Sequence, residues 1–421
     1  MLICYLIIST FVLEYIYRIF ASLYKLKKKK VMKILSPFLF FLETELSSLL
    51  VRELVLHLIV VFFSLFSLTF FLIPQIRKLV IRFGLFDTPD NRSSHTYVVP
   101  SLGGISFYIT YLVLLLFIAP LDIDKTLYYI VASISILFVV GLLDDIIVLS
   151  PRIKFLGQLL AVSILLSSSE IRIHSLYGFM GIYEFPLSLS ILVSLFFLIG
   201  LINAVNLLDG IDGLAAVTGI IVSSFYSFML FRLGYWFYLY ISIATIAILL
   251  AFLRYNFSRS KKLFMGDTGS LVIGLVLGIL TLKLTATGEL GYIALGFRAQ
   301  QLPIFLMGVL FVPILDIIRV MALRFLRGVS MFSPDRNHIH HILVDLGISH
   351  AKATFLIGLT NLVVASIMFV VIREFNTTQS MFILISIFLI SCLLLFMLNK
   401  SNIALRLKIK IKKLMLNIWF F

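Results

Sequence analysis

Long apolar segments separated by short polar ones run through most of the chain. A helix needs about 20 mostly apolar residues to cross the hydrocarbon core of a bilayer. Eleven windows of this kind occur, at residues 55–73, 103–119, 125–143, 155–168, 187–205, 211–231, 235–253, 269–284, 302–322, 353–372 and 381–398. The pattern predicts an all-α, polytopic integral membrane protein with about 11 transmembrane helices, within a range of about 10 to 12.

The composition agrees with this prediction. Of the 421 residues, 61% are hydrophobic and 13% are charged, whereas soluble domains are about 45–50% apolar and about 25% charged. A large soluble globule, a disordered protein and a secreted disulfide scaffold are therefore excluded. The two cysteines, Cys4 and Cys392, lie far apart in apolar segments without a CxxC or histidine spacing, so they predict neither a disulfide framework nor a zinc site.

Basic residues distinguish the two sides of the predicted membrane domain, because loops rich in Lys and Arg stay in the cytoplasm. One set of alternate loops is strongly basic and carries Arg77, Lys78, Arg82, Arg92, Arg152, Lys154, Arg254, Arg259, Lys261, Lys262, Arg324, Arg327 and Arg336. The opposite set carries mainly Lys125, Arg172, Arg232, Lys283, Arg298 and Arg373. The first set is predicted to be cytoplasmic.

The two ends of the chain differ from its membrane core. Residues 1–50 are interpreted either as an N-terminal extension with an extra membrane anchor or as an upstream reading of the gene, with the true start near Met32. Residues 51–400 are predicted to form the polytopic domain. Residues 401–421 alternate leucine and isoleucine with lysine, which predicts a basic amphipathic cytoplasmic tail on an anionic leaflet.

Polar residues cluster in the loops predicted to be cytoplasmic, and ionisable residues near a membrane tend to mark function. Asp144 and Asp145 directly follow the window 125–143, at a predicted helix C-terminus, where the helix dipole disfavours negative charge. Such a pair predicts a bound cation. A pair of this kind could also simply mark the lipid boundary of a span.

A second cluster lies at the junction of the windows 187–205 and 211–231. Its polar members recur at every third position and are Asn203, Asn206, Asp209 and Asp212. In a helix these side chains would form a slowly winding polar stripe, with Gly210 and Gly213 leaving room beside it. The glycines could instead serve close helix packing.

A third cluster, Met265 to Ser270, lies directly before a predicted span and after the basic residues Arg259, Lys261 and Lys262. A helix N-terminus with free backbone amides and nearby cations is suited to phosphate. Asp267 could there hold a metal ion that bridges phosphates, or act as an ordinary N-cap.

The fourth cluster combines Arg336 with His338, His340 and His341. Arginine and imidazole together suit a pyrophosphate oxygen or its leaving group. Zinc is the competing interpretation of the histidines, but no thiolate or HExxH pattern is nearby, and the aspartates elsewhere favour Mg²⁺. All four clusters fall on the same predicted face, which favours function over the structural interpretations.

These residues resemble the polyprenyl-phosphate N-acetylhexosamine-1-phosphate transferases, the family that includes the MraY and WecA types. The resemblance covers roughly residues 54–346, and four motifs match in order and spacing, at 141–145, 206–213, 265–270 and 336–341. The His-Ile-His-His form is similar to the WecA-like branch, which uses UDP-N-acetylglucosamine. Ser93 stands where that branch commonly has a lysine, a form more similar to relatives that transfer other acetamido sugars.

The resemblance implies a reaction between two anions at the cytoplasmic face of the bacterial inner membrane. The phosphate of undecaprenyl phosphate attacks the sugar-linked phosphorus of a UDP-sugar, UMP leaves, and a lipid-linked pyrophosphoryl sugar begins a cell-envelope polysaccharide. Such a reaction requires Mg²⁺, or Mn²⁺ as a substitute, together with protein cations. Direct displacement and a covalent phospho-aspartate intermediate both fit. A homodimer is compatible with the family, and no nucleic acid is expected as a partner.

The resemblance also implies roles for the residues of the clusters. The candidate metal ligands are Asp267, Asp144 and Asp145. The candidate catalytic residues are Asp144, Asp145, Asp267 and His338, with Asp144 as the candidate base. The candidate substrate-binding residues are Asn206, Asp209, Asp212, Arg336, His340, His341, Arg92 and His95.

Two other classes are weaker alternatives. Asp209-Gly210 and Asp212-Gly213 match part of the aspartate motif of CDP-alcohol phosphotransferases, but the nearby Ala-Arg of that motif is absent. A lipid or sugar transporter would place ionisable groups near the bilayer midplane, whereas here they lie at one face.

Overall fold

A computed structural model describes the backbone of residues 29–87, 99–122, 125–288, 291–292, 295–330 and 337–419, and the side chains of residues 52–85 and, within those ranges, 99–400. The chain divides into two compact units, Met1–Val60 and Val61–Phe421. All the site residues discussed below belong to the second unit.

Helices account for most of the described chain, which confirms the predicted fold class. In order they are α1 (Lys29–Arg82), α2 (Gly104–Ile118), α3 (Leu127–Ile147), α4 (Pro151–Leu165), α5 (Leu187–Leu208), α6 (Leu214–Leu233), α7 (Trp236–Asn256), α8 (Gly266–Thr285), α9 (Leu302–Val309), α10 (Phe311–Leu326), α11 (Ile339–Asp345), α12 (His350–Glu374) and α13 (Thr377–Trp419). The strands form two short antiparallel pairs, β1 (Phe86–Asp87) with β2 (Val99–Pro100) and β3 (Ser175–Phe179) with β4 (Ile182–Glu184).

Nine helices of the described residues are long and apolar enough to cross a membrane, or ten if the bent pair α9 and α10 forms one span. The difference from eleven predicted windows lies at residues 155–168. This window corresponds to α4, which has only 15 residues. At 1.5 Å per residue, such a helix extends about 22 Å, less than the roughly 30 Å of a hydrocarbon core.

Helix α4 nevertheless pairs antiparallel with α3 along its whole length. At one end, Lys154 Nζ lies 3.0 Å from Asp144 Oδ2. At the other, the hydroxyl of Ser168, just beyond α4, lies 3.1 Å from that of Thr126, just before α3. The turn after α4 therefore reaches the level at which α3 begins, although α4 itself is too short to do so.

Helix α8 lies at the centre of the second unit, with every residue from Thr268 to Thr285 buried. Glycines let its neighbours approach closely. A Cβ added to Gly141 of α3 would lie 2.6 Å from the carbonyl oxygen of Asp267, and one added to Gly274 of α8 would lie 2.8 Å from Cα of Ile202 in α5. These approaches hold the ends of α3 and α5 against the start of α8.

The bend between α9 and α10 measures 75° and has a local cause. Pro313 has no N–H, so the carbonyl of Val309 loses its helical donor. The buried side chain of Asn361 in α12 replaces it, since Nδ2 donates to Val309 O at 3.1 Å while Oδ1 accepts from Val312 N at 3.0 Å. Backbone groups inside a membrane protein must be satisfied internally, so Asn361 stabilises this bend.

Replacing Asn361 with leucine is expected to lower the melting temperature in detergent, because two buried backbone groups lose their partners at a cost of about 1–3 kcal/mol each. Thr360→Val is the matched control, because Thr360 is exposed and bonds only within its own helix. Equal melting temperatures for the two variants would show that Asn361 does not stabilise the bend.

Candidate active site

Four side chains from four different helices meet at one end of the helical unit. We call Asp144, Lys154, Asn206 and Asp267 the carboxylate cluster. Lys154 Nζ lies 3.0 Å from Asp144 Oδ2 and also forms an ion pair with Asp267. Asn206 Nδ2 donates to Asp267 Oδ1 at 2.7 Å. The two carboxylates therefore converge on a single position, which the lysine ammonium occupies.

Asp145 has a different environment from its neighbour Asp144. Its Oδ1 accepts from the backbone N–H of Asp267 at 2.9 Å, and its Oδ2 accepts from the N–H of Thr268 at 2.9 Å and from the Thr268 hydroxyl at 2.5 Å. Asp145 thus caps the start of α8 from α3, satisfying N–H groups that have no partner within the helix. Gly266 adopts φ +67° there, a conformation that favours glycine.

The second polar cluster does not form one continuous helical stripe. Helix α5 ends at Leu208, and Gly213, with φ +75°, precedes α6. Asn203 exchanges two hydrogen bonds with Gln158 of α4, at 3.2 and 2.8 Å, whereas Asn206 belongs to the carboxylate cluster. Asp209 follows α5 as its C-cap residue. Because α5 ends at Leu208, the repeat of three does not continue along one helix, and its side chains contact different neighbours.

Asp212, in the turn between α5 and α6, contacts a lysine and a histidine. Lys262 Nζ lies 2.6 Å from its Oδ2, and His350 Nδ1 lies 3.4 Å from the same oxygen. Burial alone would raise the pKa of Asp212, but the hydrogen bonds and charges of His350 and Lys262 outweigh it and hold the pKa below its usual value. The sequence interpretation placed Lys262 beside Asp267, and His350 belongs to none of the four sequence clusters. The structure brings both to Asp212.

The histidine cluster comprises His338, His340 and His341, whose ring centroids lie 4.3–6.5 Å apart. A Cβ added to Gly210 would collide with the His340 ring, so the histidine cluster lies against the segment that follows Asn206. Burial, and to a smaller extent the neighbouring His341, lowers the pKa of His340 to about 3. His340 is therefore neutral at pH 7 and serves as a hydrogen-bonding group rather than as a charge.

The structure brings together members of all four motifs at one end of the unit, although Arg92, His95 and Arg336 lie outside the described residues. Sequence reasoning missed Asp316, which bonds His338, and Arg319, which bonds Asp316. A signal for both existed, because they are ionisable residues inside the predicted apolar window 302–322.

The carboxylate cluster fits a Mg²⁺ ion better than the histidine cluster fits zinc. Among the described residues, no three His, Cys, Asp or Glu side chains form a ligand group, whereas zinc sites use three or four such ligands. Mg²⁺ needs only one or two carboxylates, since waters and substrate phosphates complete its coordination. Asp144 and Asp267 already hold a cationic group between them, so their placement suits a cation.

Fold and site define a polytopic membrane protein with a polar, charged site at one end of its helices. A family model described as glycosyl transferase family 4 matches residues 127–285. A Bacillus subtilis protein, named "Probable undecaprenyl-phosphate N-acetylglucosaminyl 1-phosphate transferase", is 31% identical over 329 residues, covering 77% of this chain and 88% of the relative.

Two further relatives have similar names. A "Decaprenyl-phosphate N-acetylglucosaminephosphotransferase" of Mycolicibacterium smegmatis is 34% identical over 314 residues, covering 69% of this chain and 76% of the relative. An "Undecaprenyl-phosphate alpha-N-acetylglucosaminyl 1-phosphate transferase" of Haemophilus influenzae is 30% identical over 310 residues, covering 72% and 84%. The chain belongs to glycosyl transferase family 4, which confirms the resemblance drawn from the four motifs.

Proposed function

We propose that this protein transfers N-acetylglucosamine 1-phosphate from UDP-N-acetylglucosamine to undecaprenyl phosphate. An oxygen of the lipid phosphate forms a bond to the sugar-linked phosphorus, the pyrophosphate bridge breaks, and UMP leaves. The product is a polyprenyl-diphosphate-linked sugar that initiates a cell-envelope polysaccharide. The observation that carries the proposal is the convergence of Asp144 and Asp267 on one cation position, in a chain whose relatives are named for this transfer.

We place the reaction at the cytoplasmic face of the bacterial inner membrane. The support is the charge asymmetry of the loops, because the elements that carry the site are joined by the more basic set. A site at this boundary reaches both a lipid phosphate in the leaflet and a soluble nucleotide sugar.

Asp144 and Asp267 would hold Mg²⁺, and Asn206 orients Asp267 through its amide. Bound Mg²⁺ supplies positive charge to the phosphate oxygens of substrates that would otherwise repel each other. Asp145, included among the candidate ligands from sequence, acts in this proposal as a positioning residue, because its oxygens are engaged by the start of α8. Lys154, whose ammonium group contacts both carboxylates in the structure, would move aside to admit the ion.

The histidine cluster would bind the pyrophosphate of the donor. His340 is neutral and donates or accepts hydrogen bonds, while Asp209 and Asp212 line the nucleotide side of the site. Arg92, His95 and Arg336 remain substrate-binding predictions from sequence. Phosphoryl transfer depends mainly on positioning and charge stabilisation, and side chains fixed between several helices are suited to both.

The test uses membranes that contain the full chain, supplied with undecaprenyl phosphate, Mg²⁺ and one labelled UDP-acetamido sugar at a time. We expect labelled lipid from UDP-N-acetylglucosamine, with one UMP released per lipid formed and with loss of product after chelation of the metal. More labelled lipid from UDP-N-acetylgalactosamine or a UDP-linked deoxy acetamido sugar than from UDP-N-acetylglucosamine would replace the proposed donor. No labelled lipid from any donor, with folded protein, would overturn the proposed reaction.

A further inference from the structure

A buried carboxylate that the motifs do not include bonds directly to the histidine cluster. Asp316 of α10 is 2% exposed and His338 is 4% exposed, and His338 Nδ1 lies 2.8 Å from Asp316 Oδ2. We propose that Asp316 is a positioning residue for the transfer reaction, which fixes the orientation and tautomer of His338. This inference rests on the proposed function, because it assigns His338 a task at the same site.

The contacts of Asp316 account for both of its oxygens. Oδ2 accepts from His338, while Oδ1 accepts from the backbone N–H of Ile339 at 2.9 Å and from Arg319 Nη2 at 3.3 Å. Ile339 is the first residue of α11. One carboxylate therefore fixes the His338 ring and also the start of the short helix that carries His340.

The chemistry of the pair determines which ring nitrogen remains for substrate. An ionised carboxylate only accepts hydrogen bonds, so Nδ1 of His338 must carry the hydrogen. Nε2 then carries the lone pair, so it is the nitrogen that can accept a hydrogen bond or a proton at the site. In solution a neutral imidazole exchanges between its two tautomers, and the contact with Asp316 removes this freedom before substrate arrives.

Charge explains why this carboxylate is tolerated away from water. Arg319 of the same helix pairs with Asp316 and also donates to the carbonyl of Asn337, directly before His338. A buried charge persists when it is paired and its remaining hydrogen-bonding capacity is satisfied. The arginine therefore supports Asp316 and, through Asn337, the backbone on which His338 lies.

The test compares the parent with Asp316→Asn and His338→Gln in the labelled-lipid assay. Asparagine keeps the shape of the side chain, but only one of its two polar atoms is an acceptor, so it cannot serve His338 and Ile339 together. We expect Asp316→Asn to lower kcat by about 100-fold, as small misplacements of reacting groups do, with the KM for UDP-N-acetylglucosamine within about threefold of the parent. Nitrogen-15 NMR of histidine-labelled protein gives a second readout that does not need turnover.

The spectra separate positioning from a merely structural role. We expect a signal from a hydrogen-bearing Nδ1 in the parent that is absent in His338→Gln and lost or shifted in Asp316→Asn. An unchanged kcat in Asp316→Asn, or a reduced kcat with the His338 signal unaltered, overturns the inference. If Asp316→Asn does not yield folded protein, Asp316→Glu keeps the charge beside Arg319 and is compared in the same way. A parent that makes no labelled lipid overturns the proposed function instead, whereas an active parent with either contrary result overturns only this inference.

Discussion

Replacement of Asp267 by asparagine is expected to lower kcat by about 10³-fold or more, which corresponds to about 4 kcal/mol of lost transition-state stabilisation. The amide has nearly the same shape as the carboxylate, so packing against Asn206 is kept while the negative charge is removed. Of the two carboxylates that converge on the cation position, only Asp144 then remains. Initial rates at increasing Mg²⁺ concentrations measure the effect.

The matched control for this variant is Asp122→Asn. Asp122 is likewise an aspartate that accepts a hydrogen bond, from Leu127 N at 2.6 Å, but it lies at the end of α3 opposite Asp144. We expect Asp122→Asn to have parental turnover and the parental Mg²⁺ requirement. If Asp267→Asn behaves in the same way, the assignment of Asp267 as a metal ligand is wrong.

The order of clusters in the sequence was sufficient to predict which parts of the chain meet. Asp144, Asn206 and Asp267 are separated by tens of residues, yet the alternation of predicted spans places all three at one face, and hydrogen bonds join them there. This works because a membrane helix has a nearly fixed length, so the parity of the spans decides the side on which each loop lies.

The division of labour between adjacent residues could not be predicted in this way. Asp144 and Asp145 are chemically identical, and only the contact between α3 and α8 distinguishes them. Asp144 faces Lys154, whereas Asp145 caps a helix that begins more than a hundred residues later. Such a cap depends on the tertiary structure, and no local pattern around Asp145 contains it.

The two missed charges of α10 illustrate a different limit. Asp316 and Arg319 lie in an apolar window that also contains Pro313, and an ionisable residue there is a functional signal by itself. The sequence does not indicate the partner of Asp316, because His338 lies beyond the end of α10 in a separate segment. The bend at Leu310 likewise depends on Asn361, which lies 49 residues after its hydrogen-bond partner Val312.

A second large effect is expected from Gly104→Ala at the crossing of α2 and α8. The added Cβ would collide with backbone atoms of Gly269 and Thr268, and backbone cannot move aside as a flexible side chain can. The start of α8 must therefore shift, and this is the segment that carries Asp267. Because a displacement of about 1 Å at reacting groups can cost about 100-fold in rate, we expect at least that loss in kcat, together with a lower melting temperature.

Gly200→Ala is the matched control, since Gly200 also lies within a membrane helix but a Cβ added to it would have no neighbouring atom within 4 Å. An alanine there meets no neighbour and favours the helix by about 1 kcal/mol, so stability and turnover should stay at or above the parental level. The contrast isolates the helix crossing from the general effect of replacing glycine. Parental activity in Gly104→Ala would mean that the position of α8 tolerates displacement, and that the geometry of Asp267 does not depend on this close packing.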